Sequence, residues 1–198
     1  MQVLLVPIHI VNAEQSQQLL IDGNNRYVSG DYSKKDIGEN RRNILTKGQH
    51  PFAVILTCSD SRVPPELLFD QGFGDLFVIR VAGNVLDPIT LGSVEYAVEH
   101  LGSKLVVVMG HDKCGAVKAT VDGGHVPPNI KAIAKKIVPA LKTAKQHSHQ
   151  NIYAATEDIN VDNMVKIIKN DPVIKHFPDV KVVGAKYFIE SGKVEYFK

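Results

Sequence analysis

The sequence predicts a three-layer α/β fold: a mostly parallel central sheet of about five strands flanked by helices, with an N-terminal helical arm and a C-terminal antiparallel edge strand. Three observations carry this expectation. Phe52–Thr57, Leu76–Ile79 and Lys104–Met109 are short runs apolar at nearly every position, as strands are when helices cover both faces of a parallel sheet. Amphipathic stripes at helical spacing alternate with those runs. The chain then closes on strand, turn and strand.

Taken in order, Glu14–Val28 has helical composition and stops at Ser29-Gly30, and Asp36–Thr46 reads the same way with Gly48 as a candidate cap. Residues 1–48 thus form the arm ahead of the first strand. After the second run, Asp87 can cap a helix that has Pro88 at its first position. Leu91, Val94, Val98 and Leu101 share one face of it, and Gly102 closes it. Past Pro127-Pro128, Ile130, Ile133, Ile137 and Leu141 make a second stripe with a bend expected at Pro139. Val161, Met164, Val165 and Ile168 make a third before Pro172. Lys181–Ile189 reads as a strand, Ser191-Gly192 as a turn and Val194–Phe197 as the returning strand.

The 198 residues suit one domain, and 44% hydrophobic with 22% charged residues excludes a disordered or low-complexity chain. A formal charge of +2 without a dense Lys/Arg block gives no reason to expect nucleic acid or acidic lipid as a partner. No apolar run has the length to cross a bilayer. The apolar Met1–Ala13 segment lacks a positive start and is interrupted by Pro7 and His9. It reads as a docking arm rather than an export signal, and the expected compartment is the cytoplasm.

The chemistry collects at the carboxyl ends of two predicted strands, the edge where open α/β sheets bind ligands. Cys58 follows the first run, and His111-Asp-Lys-Cys114 follows the third. Two thiolates and an imidazole suit zinc, and three protein ligands leave a fourth tetrahedral position for water or substrate. With only 2 cysteines in the chain, this composition favours a catalytic over a structural zinc site. Two bland readings stand beside it: buried free cysteines in a core, or a thiol redox pair. Cys58-Ser-Asp-Ser-Arg62 adds an acid and an arginine beside a candidate thiolate, a combination that reads as an ion pair.

At this point the sequence resembles a known family. Gly23–Tyr27, Cys58–Val63, Gly74–Arg80, Ala82-Gly-Asn84, Ser93–Ala97, Gly110–Gly115 and Val183–Ala185 stand in the order of the landmarks of the β-class carbonic anhydrases. The resemblance implies zinc, one per chain, on Cys58, His111 and Cys114. It also implies an Asp60–Arg62 dyad, and a pocket to which Gln49, Phe77 and Tyr96 correspond. It further implies dimers, or multiples of dimers, in which Gln49 reaches the partner's pocket. Val81 stands where many members have Asn. The absence of Trp removes the residue around which some bacterial members build a second bicarbonate site.

The implied activity is reversible hydration of carbon dioxide to bicarbonate and a proton. In it zinc generates hydroxide near neutral pH, and Asp60, held ionised by Arg62, orients that hydroxide or swings onto the metal in a closed state. His147 and His149 lie in a polar stretch and are not assigned to proton export. Three other readings are open at this level: a carbon disulfide or carbonyl sulfide hydrolase on the same scaffold, a non-catalytic zinc protein, and a thiol redox protein.

Overall fold

A computed structural model describes residues 11–125, 127–147 and 150–198. The apolar segment through residue 10 and His149 lie outside the described residues. The chain order is α1 (Ala13–Ser29), α2 (Glu39–Leu45), β1 (Ala53–Thr57), α3 (Pro65–Leu68), β2 (Leu76–Arg80), a 3-10 turn (Ala82–Asn84), α4 (Pro88–Glu99), β3 (Leu105–His111), α5 (Gly115–Asp122), α6 (Pro128–Gln146), α7 (Ile152–Asn170), a second 3-10 turn (Ile174–His176), β4 (Lys181–Tyr187) and β5 (Val194–Tyr196).

The five strands order as β2-β1-β3-β4-β5. β1, β2, β3 and β4 are parallel, and β5 returns antiparallel along β4. Because side chains alternate along a strand, the sheet divides its apolar residues between two cores. Val54, Leu56, Val106, Val108 and Val182 face α4 and α7, where Val94, Val98, Val161, Met164 and Ile168 cover them. Ala53, Ile55, Leu105, Val107, Met109 and Ala185 face the other way, onto Leu20 of α1, Leu68 at the end of α3 and Phe69 just after it. β1 and β3 are buried at every position. β2, an edge strand just as apolar, is buried only at Ile79.

Two glycines set how closely α7 lies on the sheet. A Cβ at Gly110 would sit 2.6 Å from Val161 Cγ2, and one at Gly184 would sit 2.9 Å from Val161 Cγ1. Val161 fills the space those missing side chains leave on adjacent strands. Packing the same helix against alanines would cost about 1–3 kcal/mol or push it outward.

The predicted elements are present with shifted ends. α2 starts at Glu39 rather than Asp36, because the Asp36 side chain accepts the Gly38 N–H at 3.0 Å and holds a turn there. It ends at Leu45 with Thr46 as its C-cap, ahead of Gly48. Asp87 caps α4 as expected, accepting from the N–H groups of Ile89 and Thr90, and the helix stops just before Gly102. α6 runs through Pro139 to Gln146. α3, α5 and the first half of α7 were not anticipated. α7 starts at an Asn151 cap that accepts from the Tyr153 and Ala154 N–H groups. Among the described residues no helix is long and apolar enough to cross a membrane.

Candidate metal centre

The register brings the two sequence clusters together. Thr57 pairs with Met109, so the chain leaving β1 at Cys58 runs beside the last residues of β3 and the turn into α5. One ligand atom each from Cys58, His111 and Cys114 lies within 4.8 Å of the others, and all three residues are buried. Val85, Val117 and Ile137 pack around the two sulfurs.

The His111 ring is fixed by its own neighbour: Nδ1 lies 2.7 Å from the Asp112 carbonyl oxygen, which only a protonated Nδ1 can satisfy. Nε2 is then left with its lone pair, and it is buried with no hydrogen-bond partner among the described residues. A metal-ligating histidine is commonly held this way, with one ring nitrogen donating to a carbonyl and the other free to bind. Asp112 is tied down in turn: its N–H donates to Tyr187 O at 3.1 Å, and its carboxylate accepts the Ile189 N–H at 2.8 Å.

The two sulfurs are electrostatically linked. Cys58 lies well below the usual thiol range, chiefly because Cys114 donates to it; burial opposes this, and the His111 ring and the Gly83 N–H add to it. Cys114 is pushed up by donating to Cys58, by burial and by the charge on Cys58. The site favours one thiolate readily and resists the second, the conflict a divalent cation between them removes. Soft sulfur, borderline imidazole and an orphaned lone pair fit zinc.

Beside this cluster, Asp60 and Arg62 form a two-point pair. Arg62 Nε donates to Asp60 Oδ1 at 2.9 Å, Arg62 Nη2 to Oδ2 at 2.7 Å, and the Arg62 backbone N–H to Oδ1 at 3.0 Å. The guanidinium holds the Asp60 carboxyl well below the usual carboxylate range, against a smaller effect of burial. Asp60 Oδ2 lies 3.9 Å from His111 Nε2. Arg62 Nη2 also donates to the Lys113 carbonyl at 3.3 Å, clasping the second ligand turn, where Lys113 has φ +56°.

The structure therefore gathers Cys58, His111, Cys114, Asp60 and Arg62. Gln49, Phe77 and Tyr96 make no hydrogen bond or ring contact with that group among the described residues. Gln49 is exposed. Phe77 pairs with Val54, three positions along the strand before the Thr57–Arg80 pair, and its ring centroid lies 6.3 Å from that of Tyr96, which is 47% exposed.

Four supporting residues were given no role in the sequence reading, although Arg80 and Gly83 stand within its landmarks. Arg80 donates to the carbonyls of Cys58 (3.1 Å) and Asp60 (2.5 Å), and the Gly83 N–H donates to Cys58 Sγ at 3.2 Å. Glu157 and Asn160 reach the centre from α7. A signal for Glu157 was present: it continues the Val161, Met164, Ile168 stripe one turn earlier as a polar residue on an apolar face.

Comparison with known proteins agrees with this geometry. The family model described as "Carbonic anhydrase" matches residues 53–194. The chain is 48% identical over 191 residues to a carbonic anhydrase of Mycolicibacterium smegmatis, covering 93% of each chain. It is 43% identical over 190 residues to carbonic anhydrase 2 of Mycobacterium tuberculosis, covering 92% of this chain and 91% of the relative. Among solved structures, a tetrameric β-carbonic anhydrase of Sordaria macrospora superposes with a TM-score of 0.76 at 22% identity, over 92% of this chain and 96% of that one, a likeness of fold. With the family's model spanning most of the sequence, close relatives spanning nearly all of it, and the sheet arranged as in the β class, the chain belongs to the β-class carbonic anhydrases.

Proposed function

We propose that this enzyme catalyses the reversible hydration of carbon dioxide to bicarbonate and a proton, with one zinc ion per chain held by Cys58, His111 and Cys114. The observation that carries the zinc assignment is His111 Nε2: a buried, unpartnered lone pair on a ring anchored at its other nitrogen, facing two buried free thiols. When bound, zinc supplies Lewis acidity that lowers the pKa of a water from 15.7 to roughly 7.

The chain's own residues supply the rest. Asp60 remains a carboxylate through the neutral range, so it can only accept a proton in a hydrogen bond. With Oδ2 3.9 Å from His111 Nε2, it would accept a hydrogen bond from the attacking oxygen's O–H group, which orients that oxygen's lone pair toward the carbon of CO2. Arg62 occupies both Asp60 oxygens, which supports an arrangement with Asp60 outside the ligand set rather than swung onto the metal. The apolar side chains of Val85, Val117 and Ile137 limit the water around the sulfurs, where a low dielectric strengthens these interactions.

Gln49 enters this reading as a residue that reaches a partner's pocket, and Phe77 and Tyr96 as apolar and aromatic lining of the pocket beside the metal. The exposure of Gln49 and the incompletely buried apolar edge strand β2 support an interface there. The test is zinc content and CO2 hydration measured on Cys58→Ser, His111→Ala and Cys114→Ser. Each removes one of three ligands, so each is expected to lose stoichiometric zinc and activity together. Full zinc retention in any one of them would place the metal elsewhere.

A further inference from the structure

Through two buried polar side chains one helical turn apart, helix α7 reaches the Cys114 turn directly and the Cys58 sulfur by way of Gly83. Glu157, 6% exposed, accepts the Cys114 backbone N–H on Oε1 at 3.2 Å. Asn160, 1% exposed, donates from Nδ2 to the Gly83 carbonyl at 2.9 Å. The Gly83 N–H in turn donates to Cys58 Sγ. Gly83 has φ +72°, and a Cβ there would meet Ile137 Cδ1 at 2.8 Å, so that peptide segment has little freedom except as Asn160 sets it.

The helix can reach this far because Gly110 and Gly184 let Val161, the residue after Asn160, sink against the sheet. Behind Glu157 stands Lys186 of β4, 5% exposed, which pairs in register with Gly110. Its Nζ lies 2.9 Å from Glu157 Oε2 and 2.8 Å from Asp158 Oδ1. A carboxylate this deeply buried needs a partner charge, and Lys186 supplies one while leaving the other Glu157 oxygen to Cys114. Neither Glu157 nor Asn160 is itself within the ligand group formed by Cys58, His111 and Cys114.

We propose that Glu157 and Asn160 are positioning residues that set the spacing of the two cysteine sulfurs from a single rigid helix, and that Lys186 holds Glu157 in that role. This rests on reading Cys58, His111 and Cys114 as the zinc ligands. Outer contacts of this kind fix the direction of a ligand rather than its identity, and their loss typically weakens metal affinity about 10- to 100-fold.

The experiment measures zinc retention by the folded protein in competition with a chromophoric chelator, with urea midpoints recorded on the same samples. Asn160→Ala and Lys186→Met are expected to hold zinc about 10- to 100-fold more weakly than the wild type. Lys186→Arg, which keeps the ion pair, is expected to stay close to wild type. Asn160→Ser, too short to span to Gly83, serves as the milder variant should the alanine fail to fold, and is expected to weaken zinc in the same direction. Ile168→Val on the same helix separates positioning from general stability: it touches neither cysteine turn, so its urea midpoint should fall while its zinc affinity does not. Unaltered zinc retention in the foldable Asn160 and Lys186 variants would overturn the brace while leaving the zinc reading standing. So would an equal loss in Ile168→Val. A wild type that takes up no zinc would overturn both.

Discussion

Arg62 meets Asp60 as a planar fork on a planar carboxylate, a geometry Lys cannot copy. Asp60→Asn replaces an acceptor with an amide that can donate, so it should keep zinc yet lose about 100-fold or more in kcat/KM for CO2 hydration. Arg62→Ala should fall comparably by freeing the Asp60 side chain, with Arg62→Lys between it and the wild type. Stopped-flow hydration rates from pH 7 to 9, with zinc content on the same samples, check this; near wild-type rates in both Asp60→Asn and Arg62→Ala would refute the assigned roles. These residues were legible because their chemistry is local in sequence: Cys58 to Arg62 is a single turn, and His111 to Cys114 is another. The roles of the anchors were not, although Glu157 broke an apolar stripe and Arg80 stood in a landmark. Arg80, Glu157 and Asn160 act through backbone carbonyls and N–H groups of residues far along the chain, and a contact to a backbone atom leaves no signature in the identity of the residue contacted.

Among the elements, a buried acid ties down the N-terminal arm beside the Leu20 and Asn24 contacts of α1. Asp70, 5% exposed and with φ +47°, accepts from Arg26 Nε (2.6 Å), the Ser33 N–H (3.1 Å) and Ser33 Oγ (2.6 Å). It thereby ties the end of α1 and the stretch after it to the β1–β2 connection. Burial pushes its carboxyl up, but the Ser33 bonds and Arg26 more than offset that and bring it to about 2. A carboxyl depressed on folding stabilises the protein above its unfolded pKa of about 3.9, and that stabilisation fades as pH falls through the folded value. Asp70→Asn, which tolerates the same backbone conformation, should therefore cost roughly 2 kcal/mol at pH 7. The gap from wild type should narrow between about pH 4 and pH 2. Urea unfolding across that range tests it, and a gap that persists undiminished at the acid end would contradict the assignment. The strands and the α4 cap were legible because an apolar run or a Pro88 after Asp87 carries its own meaning. α5 was not: it opens on Gly115 and contains β-branched residues, and its place is set by packing against α6 and α7, which local propensity does not encode.

At the scale of the whole molecule, a single chain leaves its apolar surface unevenly covered. β2 is buried at only one of its five positions, and Tyr32, Ile37, Ile44, Leu67, Phe73, Ile89 and Tyr96 are each at least 47% exposed. An exposed apolar edge invites a second copy, and the proposal that Gln49 reaches a partner's pocket needs such a copy. Cys58→Ser and Gln49→Ala chains, each of low activity alone, should partly restore hydration after co-refolding. A mixed dimer then has one site with both defects and one with neither; no restoration would place Gln49 outside the partner's site. The mostly parallel sheet and its antiparallel edge strand followed from the sequence's alternation of elements, whereas the strand order and the unburied β2 did not, since the composition of β2 matches that of the buried β1 and β3. The claim on which all of this stands is a zinc centre that hydrates CO2. Its most direct test is zinc stoichiometry and stopped-flow CO2 hydration on one preparation as metal is stripped by a chelator and restored. About one zinc per chain, with activity falling and returning in proportion to it, is the expected result; undiminished hydration by zinc-free protein would contradict it.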